Sequence, residues 1–91
     1  MATTTTAEWD GGYSVTYSDI PSGFLTEVQF TFVNKVLNMV VTMTNGARYF
    51  YGNVGVMAWA GFAEANAGQG SFGKAYNRAK AQGYLAVKLP A

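Results

Sequence analysis

The side chains that could do chemistry are few, and they limit the functions open to the chain. Its 91 residues include no Cys and no His, which removes thiol nucleophiles, imidazole bases and the usual zinc ligands. The remaining acids are Glu8, Asp10, Asp19, Glu27 and Glu64. Carboxylates on predicted loops and strand ends are typical of a solvated surface. We therefore predict no catalytic residue, no metal site and no cofactor, and we expect the protein not to be an enzyme.

The basic residues are concentrated towards the end of the chain. Residues 1–30 contain four acids and no base, whereas residues 31–91 contain all six bases and one acid. Lys74 and Arg78 are four residues apart, so a helix would place them on one face, with Lys80 near them. This pattern predicts contact with RNA or another polyanion, while the alternative is a solvated face that aids solubility.

A glycine-rich segment precedes these basic residues. Residues 68–74 run from Gly68 to Lys74, but Gly73-Lys74 is followed by Ala75, so the hydroxyl of a nucleotide-binding P-loop is missing. Free N–H groups at a helix start, with Ser71 and Lys74 beside them, can still bind an anion. The alternative is a flexible connection between two helices.

Two tyrosines stand out because of the turn that precedes them. Asn45-Gly46 is a strong signal for a two-residue hairpin turn, which would place Val41 opposite Phe50. In that register Tyr49 and Tyr51 face away from the core, where their rings could stack on RNA bases. A one-residue bulge would reverse this orientation. A helix over that face would instead make both tyrosines packing residues.

These residues require a small α+β scaffold. Apolar residues alternate over 28–32 and 37–43, which predicts two strands, and 47–51 and 13–17 indicate a third strand and a short edge strand. Apolar spacings of three and four predict helices over 54–66 and 72–82, the second capped by Ser71 and ended by Gly83. Residues 84–89 indicate a terminal strand. We expect a meander of three to four antiparallel strands packed with two helices.

Composition sets the limits of this domain. Hydrophobic residues make up 49% of the chain and charged residues 12%, so a packed core is expected. The polar residues 1–8 suggest a flexible tail or a loosely attached edge strand, with a single domain over 9–91. The apolar helix around Trp59 and Phe62 could form a homodimer interface that hides apolar surface. No stretch looks like a signal peptide or a membrane span, so we expect a cytoplasmic protein with no membrane partner.

The segment around the tyrosines resembles a known family. Tyr49-Phe50-Tyr51 follows the hairpin glycine Gly46 and precedes Val54, and then come an apolar helix, a glycine-rich break and Phe72. This arrangement resembles the KTSC domain, a short module named for the C-terminus of some lysyl-tRNA synthetases and also found in small bacterial and phage proteins. The resemblance covers about residues 26–89. It departs from the family at Ala67 and Gln69, where a Ser-x-Gly pair is usual, and in the spacing of Arg78 and Tyr84 after Phe72.

The resemblance implies RNA binding, which is the role usually suggested for that family. Together with the residues above, it predicts a non-enzymatic module that binds RNA or another polyanion through Tyr49, Tyr51, Lys74, Arg78 and Lys80. The alternative is a phage- or plasmid-type accessory protein that binds a host protein or a nucleotide signal as a small oligomer.

Overall fold

The structure, a computed structural model, describes residues 2–90 and contains one antiparallel sheet with two helices. The sheet has six strands, and their order across the sheet is their order along the chain. Both helices lie between the fifth and sixth strands in the sequence. The elements are β1 (Thr3–Trp9), β2 (Gly12–Ser18), β3 (Leu25–Val33), β4 (Val36–Met43), β5 (Arg48–Tyr51), α1 (Val56–Asn66), α2 (Phe72–Ala81) and β6 (Ala86–Leu89).

The α+β class is confirmed, but the predicted number of three to four strands is too low, because the sheet has six. For residues 1–8 the sequence left a flexible tail or an edge strand open, and residues 3–8 of this segment form β1 together with Trp9. β1 pairs with β2 from Thr3↔Ser18 to Trp9↔Gly12. All seven residues of β1 are exposed, so no apolar alternation marks the strand in the sequence. Its backbone hydrogen bonds to β2, rather than side-chain burial, hold it in place.

The turn between β3 and β4 is a tight two-residue hairpin turn. Val33 pairs with Val36, and the two residues between them, Asn34 and Lys35, have φ angles of 52° and 64°. A type I′ turn requires positive φ at both central residues, and Asn tolerates that conformation better than most. The turn therefore fixes the register in which Phe30 faces Met39.

The turn between β4 and β5 is one residue longer, and the register predicted for β5 is wrong. Thr42 pairs with Arg48 and Val41 with Tyr49, so three residues, Thr44 to Gly46, form the loop. The N–H of Gly46 donates to the Met43 carbonyl, and Gly46 takes a φ of 89°. This is a three-residue hairpin with a bulge at glycine. Because side chains alternate, the extra residue exchanges the two faces of β5.

One face of the sheet is covered by the helices and forms the core. Its largest fully buried side chains come from β3, β4 and α1, and Phe30 and Phe62 meet edge to face at 5.5 Å. Trp59 stacks on Phe30, with ring centroids 6.2 Å apart. Phe72 begins α2 and contacts Phe62 at 6.2 Å. The two helices are thus joined to each other and to the sheet through aromatic rings.

The two helices lie where the spacing of apolar residues predicts them. α1 begins at Val56, two residues after the predicted start, and α2 ends at Ala81, one residue before the predicted end. The hydroxyl of Ser71 accepts a hydrogen bond of 3.0 Å from the Lys74 N–H, so the predicted N-cap is confirmed. Gly83 follows α2 with a φ of 80°, a conformation that suits glycine and ends the helix.

Candidate functional site

The covered face holds the two tyrosines that were expected to stack on bases. Tyr51 is 4% exposed, and its hydroxyl shares a 2.9 Å hydrogen bond with the hydroxyl of Tyr76 on α2. Tyr49 is half-buried on the same face and packs against the core. The expectation that both rings face away from the core is therefore wrong, because the longer turn rotates β5 by one residue. Tyr51 has no ring face free for a base.

Tyr51 of β5 and Tyr76 of α2 form a buried polar contact. Burial, the hydrogen bond with Tyr51 and the nearby phenols of Tyr51 and Tyr49 raise the pKa of Tyr76 well above its usual range. The ammonium group of Lys80 lies 5.5 Å from the centre of the Tyr76 ring. This distance is within the range of a cation–π contact. Lys80 therefore contacts the outer side of the core while its charged end remains at the surface.

The opposite, open face of the sheet displays Phe50 and Arg48. Phe50 pairs with Val40 on β4 and with Val87 on β6, so these three side chains form one row across the open face. Arg48 lies two residues before Phe50 on the same face and is exposed. An aromatic ring beside a guanidinium group on an uncovered sheet is an arrangement that can contact both a base and a phosphate.

Gly52 and Asn38 shape the other side of the Phe50 ring. A Cβ added at Gly52 would lie 3.3 Å from Cε1 of Phe50, so the ring leans over the glycine. The Oδ1 atom of Asn38 accepts a 3.0 Å hydrogen bond from the Asn53 N–H. The Nδ2 group of Asn38 carries two N–H donors on the same open face. Phe50 thus has a cation on one side and an amide on the other.

The basic residues predicted on α2 are exposed, but they lie on the other side of the molecule. Lys74, Arg78 and Lys80 belong to the helix layer, which covers the face opposite Phe50. The structure brings these three cations together on one short helix. It does not bring them to the aromatic face with which they were expected to act, because the sheet lies between the two surfaces.

The predicted anion site lies at the start of α2. The Ser71 hydroxyl accepts from the Lys74 N–H, so one of the free N–H groups at this helix start is already satisfied by the protein. A cavity of about 450 Å³ adjoins it, lined by Pro21, Ser22, Asn66, the glycine-rich break and Phe72. This end of the helix is therefore open to solvent, and its anion affinity stays a prediction.

The residues predicted at an oligomer interface pack in or against the core. Phe62 is 0% exposed, and Trp59 is half-buried with its Nε1 group donating to the Tyr17 hydroxyl at 3.3 Å. Phe62 cannot form an interface without unpacking α1 from the sheet, whereas Trp59 keeps part of its side chain exposed. Phe62 is therefore a core residue, and an oligomer interface at this helix stays a prediction.

Sequence reasoning missed Phe50, Arg48 and Asn38 as possible contact residues. The signal that would find them is the turn: Asn-Gly fits both a two-residue loop and a three-residue loop with a glycine bulge. In the second arrangement the same four-residue strand presents Arg48 and Phe50 outward. The motif that carries the KTSC resemblance then places its two tyrosines in the core and its central Phe50 on the surface.

Neither α1 nor α2 has the length and apolar character that a helix needs to cross a membrane. Residues 2–90 contain no group of three or more acidic, His or Cys side chains placed to hold a metal ion. Compared with known proteins, the chain matches no protein-family model, no curated protein and no solved structure.

Proposed function

We propose that this protein binds single-stranded RNA on the open face of the sheet, with a base stacked on Phe50 and the adjacent phosphate bound by Arg48. The observation that supports this function most directly is the half-buried Phe50 ring on an uncovered strand, two residues from an exposed guanidinium group. Aromatic side chains on open sheets are a recurrent platform for unstacked RNA bases.

The surroundings of Phe50 fit a base better than an apolar partner. Around the Val40, Phe50 and Val87 row, the open face carries hydroxyl and amide side chains, including Thr42, Gln29 and Asn38. These groups can donate to and accept from base edges and ribose hydroxyls, and they remain hydrated in the free protein. An interface for an apolar partner would have a larger uninterrupted apolar area.

The charge on this face predicts modest affinity. Arg48 is the cation beside Phe50, and Glu27 lies on the same face with Thr42 between them. Contact with one or two phosphates gives a shallow salt dependence, with a slope of about −0.7 in log affinity against log salt for each phosphate of a single strand. Stacking on Phe50 would provide most of the binding free energy, about 1–3 kcal/mol for each stacked base.

The experiment is fluorescence anisotropy with a short labelled oligouridine, comparing variants of the two surfaces. Phe50→Ala is expected to weaken binding by about 5- to 150-fold, the range that loss of one stacked base implies. Val36→Ala is the matched control, because it truncates an exposed aliphatic side chain at the far end of β4, beside the β3–β4 turn. Its dissociation constant should stay near that of the unmodified chain.

The charge variants then separate the two surfaces. Arg48→Gln should weaken binding and flatten the salt dependence, whereas Lys35→Gln, at an exposed turn at the other end of the strands, should do neither. The combined change Lys74→Gln and Arg78→Gln should leave the affinity nearly unchanged. If this helix variant loses binding while Phe50→Ala retains it, the contact is a polyanion contact on α2 and the proposal fails. Absence of measurable binding also contradicts it.

A further inference from the structure

The two outer strands of the sheet, β1 and β6, are edges with unpaired backbone groups. The strand order places each of them beside a single neighbour within the described residues. Every residue of β1 is exposed, and β6 is exposed from Ala86 to Lys88. Edge strands of this kind are templates for pairing with another strand unless the protein blocks them.

The charges on the two edges are opposite. Glu8 lies on β1 opposite Tyr13, which faces the helices, and Lys88 lies on β6 opposite Tyr49, which faces the same side. Asp10 follows β1 directly, and at the other end of the strand the Thr3 hydroxyl is 3.5 Å from Oδ2 of Asp19. The β1 edge is therefore acidic, whereas the β6 edge carries a lysine.

The number of strands determines how a second copy can meet these edges. In an antiparallel meander of six strands, β1 and β6 run in opposite directions. A copy translated across the sheet therefore presents its β1 to the β6 of the first in antiparallel orientation, with the helices of both on the same side. The combined sheet continues in its own plane, so the open face around Phe50 stays uncovered.

One register in this arrangement pairs the edges by charge and by apolar side chains. With Lys88 opposite Glu8 of the second copy, Val87 meets Trp9 and Leu89 meets Ala7. Val87 is 48% exposed and Trp9 is 46% exposed, and both lie on the open face, so they would cover each other. Opposite charges and aromatic–β-branched pairs directly across strands are favourable cross-strand contacts.

We propose that copies of this chain associate head to tail, with β6 of one copy pairing antiparallel with β1 of the next through Lys88 and Glu8. This interaction goes beyond RNA binding and does not depend on it. The contact is small, because β6 has four residues, so the association is weak and reversible. Pairing of like edges is disfavoured, since β1 with β1 brings Glu8 of one copy near Asp19 of the other, and β6 with β6 brings the two Lys88 side chains together.

The test is sedimentation of the full chain over a wide concentration range at low salt. The average mass should rise above the 9.8 kDa of one chain as concentration increases, and it should fall when salt is added. Glu8→Lys and Lys88→Glu should each weaken association about fivefold, because each places like charges at the junction. An equimolar mixture of the two variants should associate again, since every junction then joins opposite charges.

A matched control isolates the position of the charge. Lys35→Glu makes the same change as Lys88→Glu at an exposed turn between β3 and β4, away from both edges, and it should leave association unchanged. The proposal is overturned if the unmodified chain keeps the mass of one chain at the highest concentration, or if Lys88→Glu associates as well as the unmodified chain. It is also overturned if mixing the two charge variants gives no more association than either alone.

Discussion

The two faces of this sheet use aromatic side chains in different ways. On the covered face the rings pack against the helices, and the one buried pair of tyrosine hydroxyls is satisfied within the protein. On the open face Phe50 stands among hydroxyl and amide groups beside Arg48, with no helix over it. The aromatic content of β5 therefore does not decide its role. The length of the preceding turn does, because it sets which residues point to which side.

The largest expected difference between the faces is in stability. Phe30→Ala removes a ring that is 1% exposed and contacts both Trp59 and Phe62, so the free energy of unfolding should fall by about 3–5 kcal/mol. Phe50→Ala should cost about 1 kcal/mol, because its ring is already partly hydrated. Urea unfolding followed by far-UV circular dichroism measures both. Equal losses would mean that Phe50 is a core residue and would remove the contrast between the two faces.

The next effect is a pH dependence confined to the covered face. Burial and the Tyr51 hydrogen bond raise the pKa of Tyr76, so the folded chain keeps this proton after the unfolded chain has lost it. The stabilisation is therefore present below about pH 10, the usual tyrosine pKa, and is lost as pH rises above it. The slope is at most about 1.4 kcal/mol per pH unit.

Tyr76→Phe isolates this contribution from the other titrating groups. The variant should be less stable at neutral pH by about 1–3 kcal/mol, because it leaves the buried Tyr51 hydroxyl without its partner. The difference between the two proteins should then shrink above about pH 10. Parallel stability profiles across the alkaline range would show that Tyr76 does not titrate differently in the folded and unfolded chains.

The smallest effect concerns the turn that separates the faces. Gly46 has a φ of 89°, and a side chain in this left-handed conformation is strained, so Gly46→Ala should lower the free energy of unfolding by about 1 kcal/mol. Gly23→Ala is the control, because a Cβ there meets open space and the residue lacks a positive φ. The control should be neutral or slightly stabilising. Thermal unfolding measures the stability of both variants. Equal stabilities would contradict the strain expected at Gly46.

Much of the fold could be predicted because its signals are local. Alternation marks β3 and β4, spacings of three and four mark both helices, and the cap at Ser71 can be identified from residue type alone. The sequence predicts β1 less clearly than β3 and β4, because a strand that is exposed on both sides has no alternating apolar pattern. Its attachment depends on backbone hydrogen bonds to β2, which any sequence without proline can make.

The candidate site was harder to predict than the fold, and the reason is the period of two in a strand. A change of one residue in the length of the turn at Thr44–Gly46 moves Tyr49 and Tyr51 from one face of the sheet to the other. Arg48 and Phe50 then take the opposite face. Asn-Gly is compatible with a two-residue turn and with a three-residue turn that has a glycine bulge, so the turn residues alone do not select the register. Tyr49 and Tyr51 pack against the core, and the Tyr51 hydroxyl shares a hydrogen bond with the Tyr76 hydroxyl of α2.

β6 is joined to the sheet through a much longer loop than any other strand. Its pairing with β5 closes the segment from residue 52 to residue 85, whereas the other hairpins with tight turns close loops of two or three residues. Most of that segment is α1 and α2, which pack on the sheet, and residues 82–85 connect α2 to β6. β6 itself has four residues, three of them exposed, so few contacts hold it to β5. The backbone amides of β6 should therefore exchange with solvent through local opening while the β2–β4 ladder stays closed. The row beside Phe50 is then rigid on its β4 side and mobile on its β6 side.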